Sequence, residues 1–220
     1  MRSLLKFITP HKTIPNTPWR AEHRWQLSPA RVAILFFGLS IFGLGDSLLV
    51  QGNTGNAPWT VFAQGISIKT GWALGVSTAV ISVCVLLSWI PLRERPGFGT
   101  LANIALIATF IQIGTELFPL AESLAIGIGY DFLGIALVGI GSALYITCGL
   151  GPGPRDGMMT GLHLRTGVRV GRVRLAIEVT VLAIGWLLGG TVGAGTLLFA
   201  LLIGNSIAIS LGVVARLTSR

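Results

Sequence analysis

The sequence predicts an all-α, polytopic helical membrane protein: six transmembrane helices in two inverted three-helix repeats, each with a short half-helix between its first and second spans. Three observations carry that expectation. Over 220 residues the mean hydropathy is +0.77, and 52% of residues are hydrophobic against 11% charged, a balance too apolar for a soluble domain. Six stretches approach the roughly 20 residues needed to cross a bilayer core. A gap-free shift of 96 positions lays residues 36–113 on 132–209, with identities along the whole overlap, among them Gly38, Gly45, Gly55, Pro58, Gly71, Gly97 and Thr100. A duplication explains so long a match better than composition does. Three spans per copy is an odd number, so the second copy has to sit upside down in the membrane, an arrangement common in transporters.

Residues 1–30 hold Pro10, Pro15, Pro18, Arg20 and Arg24 and lack the apolar core of a cleavable signal. They are expected to form a basic, partly disordered cytoplasmic tail. The first membrane repeat covers 31–120, with spans at about 31–50, 72–91 and 100–118; the second covers 126–215, with spans at about 126–148, 173–189 and 195–214. With both termini inside, fifteen of the sixteen Lys and Arg residues fall on the cytoplasmic side and only Lys69 falls outside, as the positive-inside rule requires. The net charge of +8 is thereby explained by topology, and no nucleic-acid partner is expected. Cys84 and Cys148 occupy non-equivalent places in the two copies, so neither a disulfide nor a metal site is expected.

Between the first and second spans of each copy lies its least lipid-like stretch, residues 53–71 and 150–167. Pro58 and Pro154 stand where a first helical residue would, a place where the missing N–H costs nothing. About a dozen residues later, Thr70-Gly71 and Thr166-Gly167 supply stops. Twelve helical residues rise about 18 Å, too little to cross. Polar residues recur at Thr60, Gln64 and Ser67 in the first copy and at Asp156, Thr160 and His163 in the second; this i, i+4, i+7 spacing forms one stripe on a helix. Two placements fit it: a helix lying flat in the interface, or a pair of re-entrant half-helices whose stripes meet at a polar cavity.

In the re-entrant placement the two Pro ends bring free N–H groups and positive dipole ends to the midplane, which favours an anion. Arg155 would reinforce that preference. Asp156 beside it could orient Arg155 or carry a coupled proton. Asp46, toward the outer end of the first span, and Glu178, one turn into the fifth and four residues after Arg174, are candidates for proton coupling; an i, i+4 salt bridge explains Glu178 equally well. Thr109, Gln112 and Glu116 share one face of the third span, where interhelical hydrogen bonds account for them. No nucleotide-binding loop, metalloprotease helix or nucleophile triad can be assembled from the spacing, so an enzyme is not expected, and neither is a cofactor.

The G-x-G-P-x-D run of Gly151, Gly153, Pro154 and Asp156, the Thr166-Gly167 pair and the Pro96-Gly97-Phe98-Gly99-Thr100-Leu101 segment together resemble the bacterial YczE/YyaS/YitT group of integral membrane proteins, over about residues 30–214. Asn56-Ala57-Pro58-Trp59-Thr60 repeats the pattern in the first copy, with Thr60 in place of the acid. The resemblance implies a multi-pass plasma-membrane protein and carries no biochemical activity with it. The expected function is a secondary transporter or exporter of a small, anionic solute, bound by Asp156, Arg155, Thr160, His163, Thr60, Gln64 and Ser67. The alternative is a non-transporting accessory or scaffold protein that binds lipid or a membrane partner.

Overall fold

Pro, Ser and Gly punctuate an otherwise apolar chain, and several of the helices begin or end on them. In the computed structural model, which describes residues 13–218, the elements are α1 (Pro29–Gly52), α2 (Pro58–Thr70), α3 (Leu74–Leu87), the single turn α4 (Trp89–Leu92), α5 (Phe98–Leu117), α6 (Leu124–Thr147), α7 (Pro154–Thr166), α8 (Val170–Leu187) and α9 (Ala194–Thr218). The described residues contain no strand. Ser28 caps α1 by accepting the Arg31 N–H, and Ser123 caps α6 by accepting the Ile126 N–H. Pro58 and Pro154 open α2 and α7, each 13 residues long, and Gly71 and Gly167 close them at φ 73° and 70°, a conformation that favours glycine. The starts of α2, α3 and α5 recur 96 residues later as the starts of α7, α8 and α9.

Among the described residues five helical stretches are long and apolar enough to cross a membrane: α1, α3 continued by α4 (Leu74–Leu92), α5, α6 and α9. The sequence leads one to expect a sixth in α8. That helix has 18 residues but carries Arg172, Arg174 and Glu178, which take it out of this group by composition. Apolar side chains such as Phe37, Leu117, Leu187 and Leu201 stay exposed on the outer faces of the bundle, which suits hydrocarbon rather than water. Residues 1–12 of the expected tail lie outside the described residues.

Glycines set the central contact. Gly38, Gly45 and Gly52 on α1 face Gly141, Gly134 and Gly127 on α6, antiparallel and seven residues apart on each helix. A Cβ added at Gly45 would lie 2.8 Å from the Gly134 carbonyl oxygen, and one added at Gly134 would lie 2.6 Å from the Gly45 oxygen. The backbones therefore touch with no side chain between them, as in other small-residue helix crossings. Cys148 continues the seam inward, its thiol 3.7 Å from the Arg31 carbonyl.

Around that seam the two halves interlock. α5 packs on α1 and α9 on α6, whereas α2 packs chiefly on α8, and α7 on α3, α4 and α8. The loops repeat one hydrogen-bond pattern: Gly99 N–H donates to Leu150 O at 2.9 Å, and Gly195 N–H donates to Thr54 O at 3.1 Å. Position 89 and its equivalent 185 divide volume in opposite ways. Trp89 is fully buried against Gly157 and donates its indole N–H to Pro154 O at 2.9 Å; in the other half Gly185 leaves room for the backbone at Val61 and Phe62.

The segment from Thr13 to Ser28 is tied down where the sequence suggests partial disorder. Thr17 donates to Thr147 O, Trp19 donates to the Thr147 hydroxyl, and Ala21 N–H donates to Cys148 O. The buried Arg31 guanidinium donates to the carbonyls of Trp19, Arg20 and Gln26, winding the segment round the end of α1. One side chain thus satisfies three backbone acceptors that a turn would otherwise leave to water.

Replacing Gly134 by Val forces a branched side chain onto the Gly45 carbonyl and should lower stability by about 2 kcal/mol or more, read as a drop in Tm in detergent; Gly129→Ala on the same helix, with no atom within 4 Å of the new Cβ, should leave Tm unchanged. Gly157→Val should lower Tm sharply, because its Cβ would fall 1.9 Å from the Trp89 ring. Combined with Trp89→Gly, which recreates the Val61 and Gly185 pairing, Gly157→Val should recover part of the loss, with a coupling energy of at least about 1 kcal/mol in a double-mutant cycle.

Candidate functional site

Burial falls along both half-helices from the Pro end outward. Pro58, Trp59, Thr60 and Val61 are buried while Lys69 and Thr70 are exposed; Pro154, Gly157 and Gly161 are buried on one side of α7, Asp156 and Thr160 are exposed on another, and residues 164–167 are exposed throughout. Neither N-cap residue, Ala57 or Gly153, offers a side-chain acceptor to the first turn, so both helices bring uncapped N-termini into the protein. They meet at one cavity of about 290 Å³, whose wall includes Ala57, Pro58, Trp59, Gly153, Pro154, Arg155 and Asp156.

Trp59 and Arg155 hold the same place in the two copies, and they touch. The Arg155 guanidinium carbon sits 4.9 Å from the centre of the Trp59 ring, an arrangement that steadies a cation on an aromatic face. Arg155 makes no hydrogen bond and no ion pair among the described residues. Trp59 is 6% exposed, yet its indole N–H is buried without an acceptor. The Arg155 guanidinium and the Trp59 indole N–H are thus both without an acceptor among the described residues, and for the buried indole that is costly.

The carboxylates are distributed by exchange between the copies. In the first, Asp46 on α1 accepts the Thr60 hydroxyl of α2 at 2.9 and 3.0 Å, and both are buried. In the second, the span position equivalent to Asp46 is Ser142 and the half-helix position equivalent to Thr60 is Asp156. Asp156 accepts the Tyr145 hydroxyl at 2.8 Å, and Ser142, Tyr145 and Asp156 all line the cavity. Asp46, Asp156 and Glu178 all act electrostatically on Arg155. Arg174 and Glu178 complete the charged wall, paired at 2.8 Å, opposite the smaller Ser82 that replaces Glu178 in the first copy.

Of the residues singled out from sequence, Arg155, Asp156 and Glu178 line the cavity, with Asp46 and Thr60 paired behind its wall. The other four are engaged elsewhere. Gln64 Oε1 accepts from Asn56 and from Thr191 N–H, staking the loop before α2 to the loop before α9. Ser67 donates to Trp72 O, Thr160 donates to Asp156 O within its own helix, and His163 Nδ1 lies 2.6 Å from Val168 O. Gln112 accepts from Gly75 N–H and donates to Glu116, an interhelical link. Trp59, Tyr145, Ser142 and Arg174 are site residues that the polar stripe does not include. The 96-residue shift was the signal for Trp59, because it places this residue on Arg155. Among the described residues no group of three or more His, Cys, Asp or Glu could hold a metal ion.

The chain matches the model of a family of unknown function, DUF6198, over residues 29–211. It is 44% identical over 206 residues to an uncharacterized protein of Haemophilus influenzae, covering 94% of each chain. Over 183 residues it is 33% identical to the uncharacterized membrane protein YczE of Bacillus subtilis, covering 82% of this chain and 85% of that one. The B. subtilis protein YyaS is 26% identical over 193 residues, 81% of this chain and 91% of its own. No solved structure matches. The long apolar helices, the extent of the family match and these relatives agree: the chain belongs to the DUF6198 family, a YczE-like family of membrane proteins.

Proposed function

We propose that the chain is a secondary transporter or exporter of a small anionic solute across the plasma membrane. The observation that carries this reading is the meeting of two uncapped half-helix N-termini, one from each copy, at a cavity holding an unpaired Arg155. Positive helix ends and a guanidinium favour a negative ligand. A binding site between duplicated halves, built on interrupted helices, is the arrangement that alternating access requires. In this reading α8 is the sixth span, its charged end reaching the cavity, and the halves form an inverted pair. Both termini are cytoplasmic, α2 and α7 are re-entrant from opposite faces, and Asp46 and Glu178 are the groups placed to couple a proton. The partners are the lipid bilayer and the solute; no cofactor and no catalysis enter the cycle.

A second reading draws on a different feature. Between α6 and α9 an apolar groove lined by Phe132, Ile140, Leu202 and Val213 lies open on the outer face, and such a groove suits an accessory protein that binds lipid or a membrane partner.

Single cysteines at positions 69 and 169, in a background with Cys84→Ser, should be modified by an impermeant thiol reagent from opposite sides of the membrane; labelling from the same side would sink the inverted arrangement. Proteoliposomes bearing the wild type should take up radiolabelled benzoate or acetate in a saturable manner, and Arg155→Ala should reduce uptake to that of protein-free vesicles. Equal uptake by the variant overturns the assignment of the site, and no uptake of either anion favours the accessory reading.

A further inference from the structure

We infer that the cavity takes a singly charged carboxylate with an apolar body, such as a branched-chain or aromatic monocarboxylic acid. The inference rests on the transport-site reading above and narrows its ligand. Charge count comes first. The wall holds two cations, Arg155 and Arg174, and Arg174 is already bound to Glu178 at 2.8 Å. One uncommitted guanidinium remains; of the carboxylates, Glu178 is spent on Arg174, Asp156 accepts the Tyr145 hydroxyl, and Asp46 lies behind the wall on Thr60. A dianion would set its second charge beside Asp156 with no second cation to meet it, and two like charges at close range repel. A monoanion needs only the head that Arg155 offers.

The donors match a carboxylate in kind. With its carbon 4.9 Å from the Trp59 ring centre and no salt bridge, the guanidinium has N–H groups available for a two-point contact with a planar carboxylate. The Trp59 indole N–H is buried with no acceptor among the described residues, a donor that a bound carboxylate reaches once the ring turns its edge into the cavity. The body of the ligand is set by what remains. Phe42, Ile107, Val138, Met159, Phe199 and Ile203 line the rest of the cavity, and at about 290 Å³ it has room for roughly ten water-sized groups. A small hydrated ion such as chloride or phosphate would leave that apolar wall unfilled, whereas a hydrocarbon tail gains from every methylene it buries there.

The test is the Tm of the purified full-length chain in detergent, titrated with benzoate, 3-methylbutanoate, acetate, succinate, phosphate and chloride. Benzoate and 3-methylbutanoate should raise Tm to a plateau, and acetate should need at least about tenfold more to reach the same shift. Trp59→Phe, which keeps the ring and removes the indole N–H, and Arg155→Lys, which keeps the charge and removes the fork, should each weaken the benzoate response roughly tenfold. Stabilisation by succinate, phosphate or chloride but not by benzoate overturns the apolar monocarboxylate and leaves the anion site standing. Benzoate stabilisation that survives in both variants overturns the assigned donors. No shift with any of the six anions overturns this inference and the transport-site reading together.

Discussion

The fold depends on the absence of side chains along one line. Between α1 and α6, glycines at seven-residue intervals let two backbones meet carbonyl to Cα over nearly the full length of both helices. In hydrocarbon no hydrophobic gain drives helices together, so close backbone packing has to supply the attraction. The seam is also the axis about which everything else is placed. α5 and α9 lean on its two flanks, and the loops that begin the half-helices hydrogen-bond to the loops that begin α9 and α5. Moving α1 against α6 by one residue would displace both Pro ends from the cavity they share.

A duplicated scaffold produces a single, unsymmetrical site by trading residues across equivalent positions. Trp59 receives Arg155, Asp46 with Thr60 answers Ser142 with Asp156, and Ser82 answers Glu178. Thr78 on the first copy corresponds to Arg174 on the second. Packing makes similar trades, with Trp89 on Gly157 in one half and Val61 at Gly185 in the other. The exchanges leave one acid at the Asp46 and Asp156 pair in each copy and add Arg155, Arg174 and Glu178 to the second copy alone. The result is an aromatic, hydroxyl-bearing face opposite a charged one, which neither copy could present alone.

Much of the backbone could be read from the sequence because its signals are local. Pro58 and Pro154 begin helices, Gly71 and Gly167 end them, and the 96-residue shift predicts which element repeats which. The site was only partly legible, because helical spacing says which residues share a face but not what that face meets. Gln64 shares a stripe with Thr60, yet its partners are Asn56 and Thr191, the latter 127 residues away. Ser67, Thr160 and His163 are satisfied within their own turns or loops, an option that short polar side chains have at any helix end. Tyr145 was invisible for the opposite reason, since in an apolar span an aromatic residue looks like packing until the carboxylate beneath it is located. The N-terminal segment misled because its prolines and charges suggest a solvated chain, and only the three carbonyls gathered by Arg31 show that it is fastened.

The uneven distribution of charge has an energetic consequence for the proposed cycle. Two identical inverted halves would interconvert between inward-open and outward-open forms of equal free energy, so the solute gradient alone would decide which form prevailed. Here Arg155, Asp156, Arg174 and Glu178 all belong to the second copy, and opening the cavity to one side wets that face differently from opening it to the other. A carrier working by the proposed cycle would therefore have a preferred resting orientation written into its sequence, and the membrane voltage would have fixed charges on one half to act on. Divergence after duplication would in this way turn a reversible conduit into a rectifying one without any change of fold.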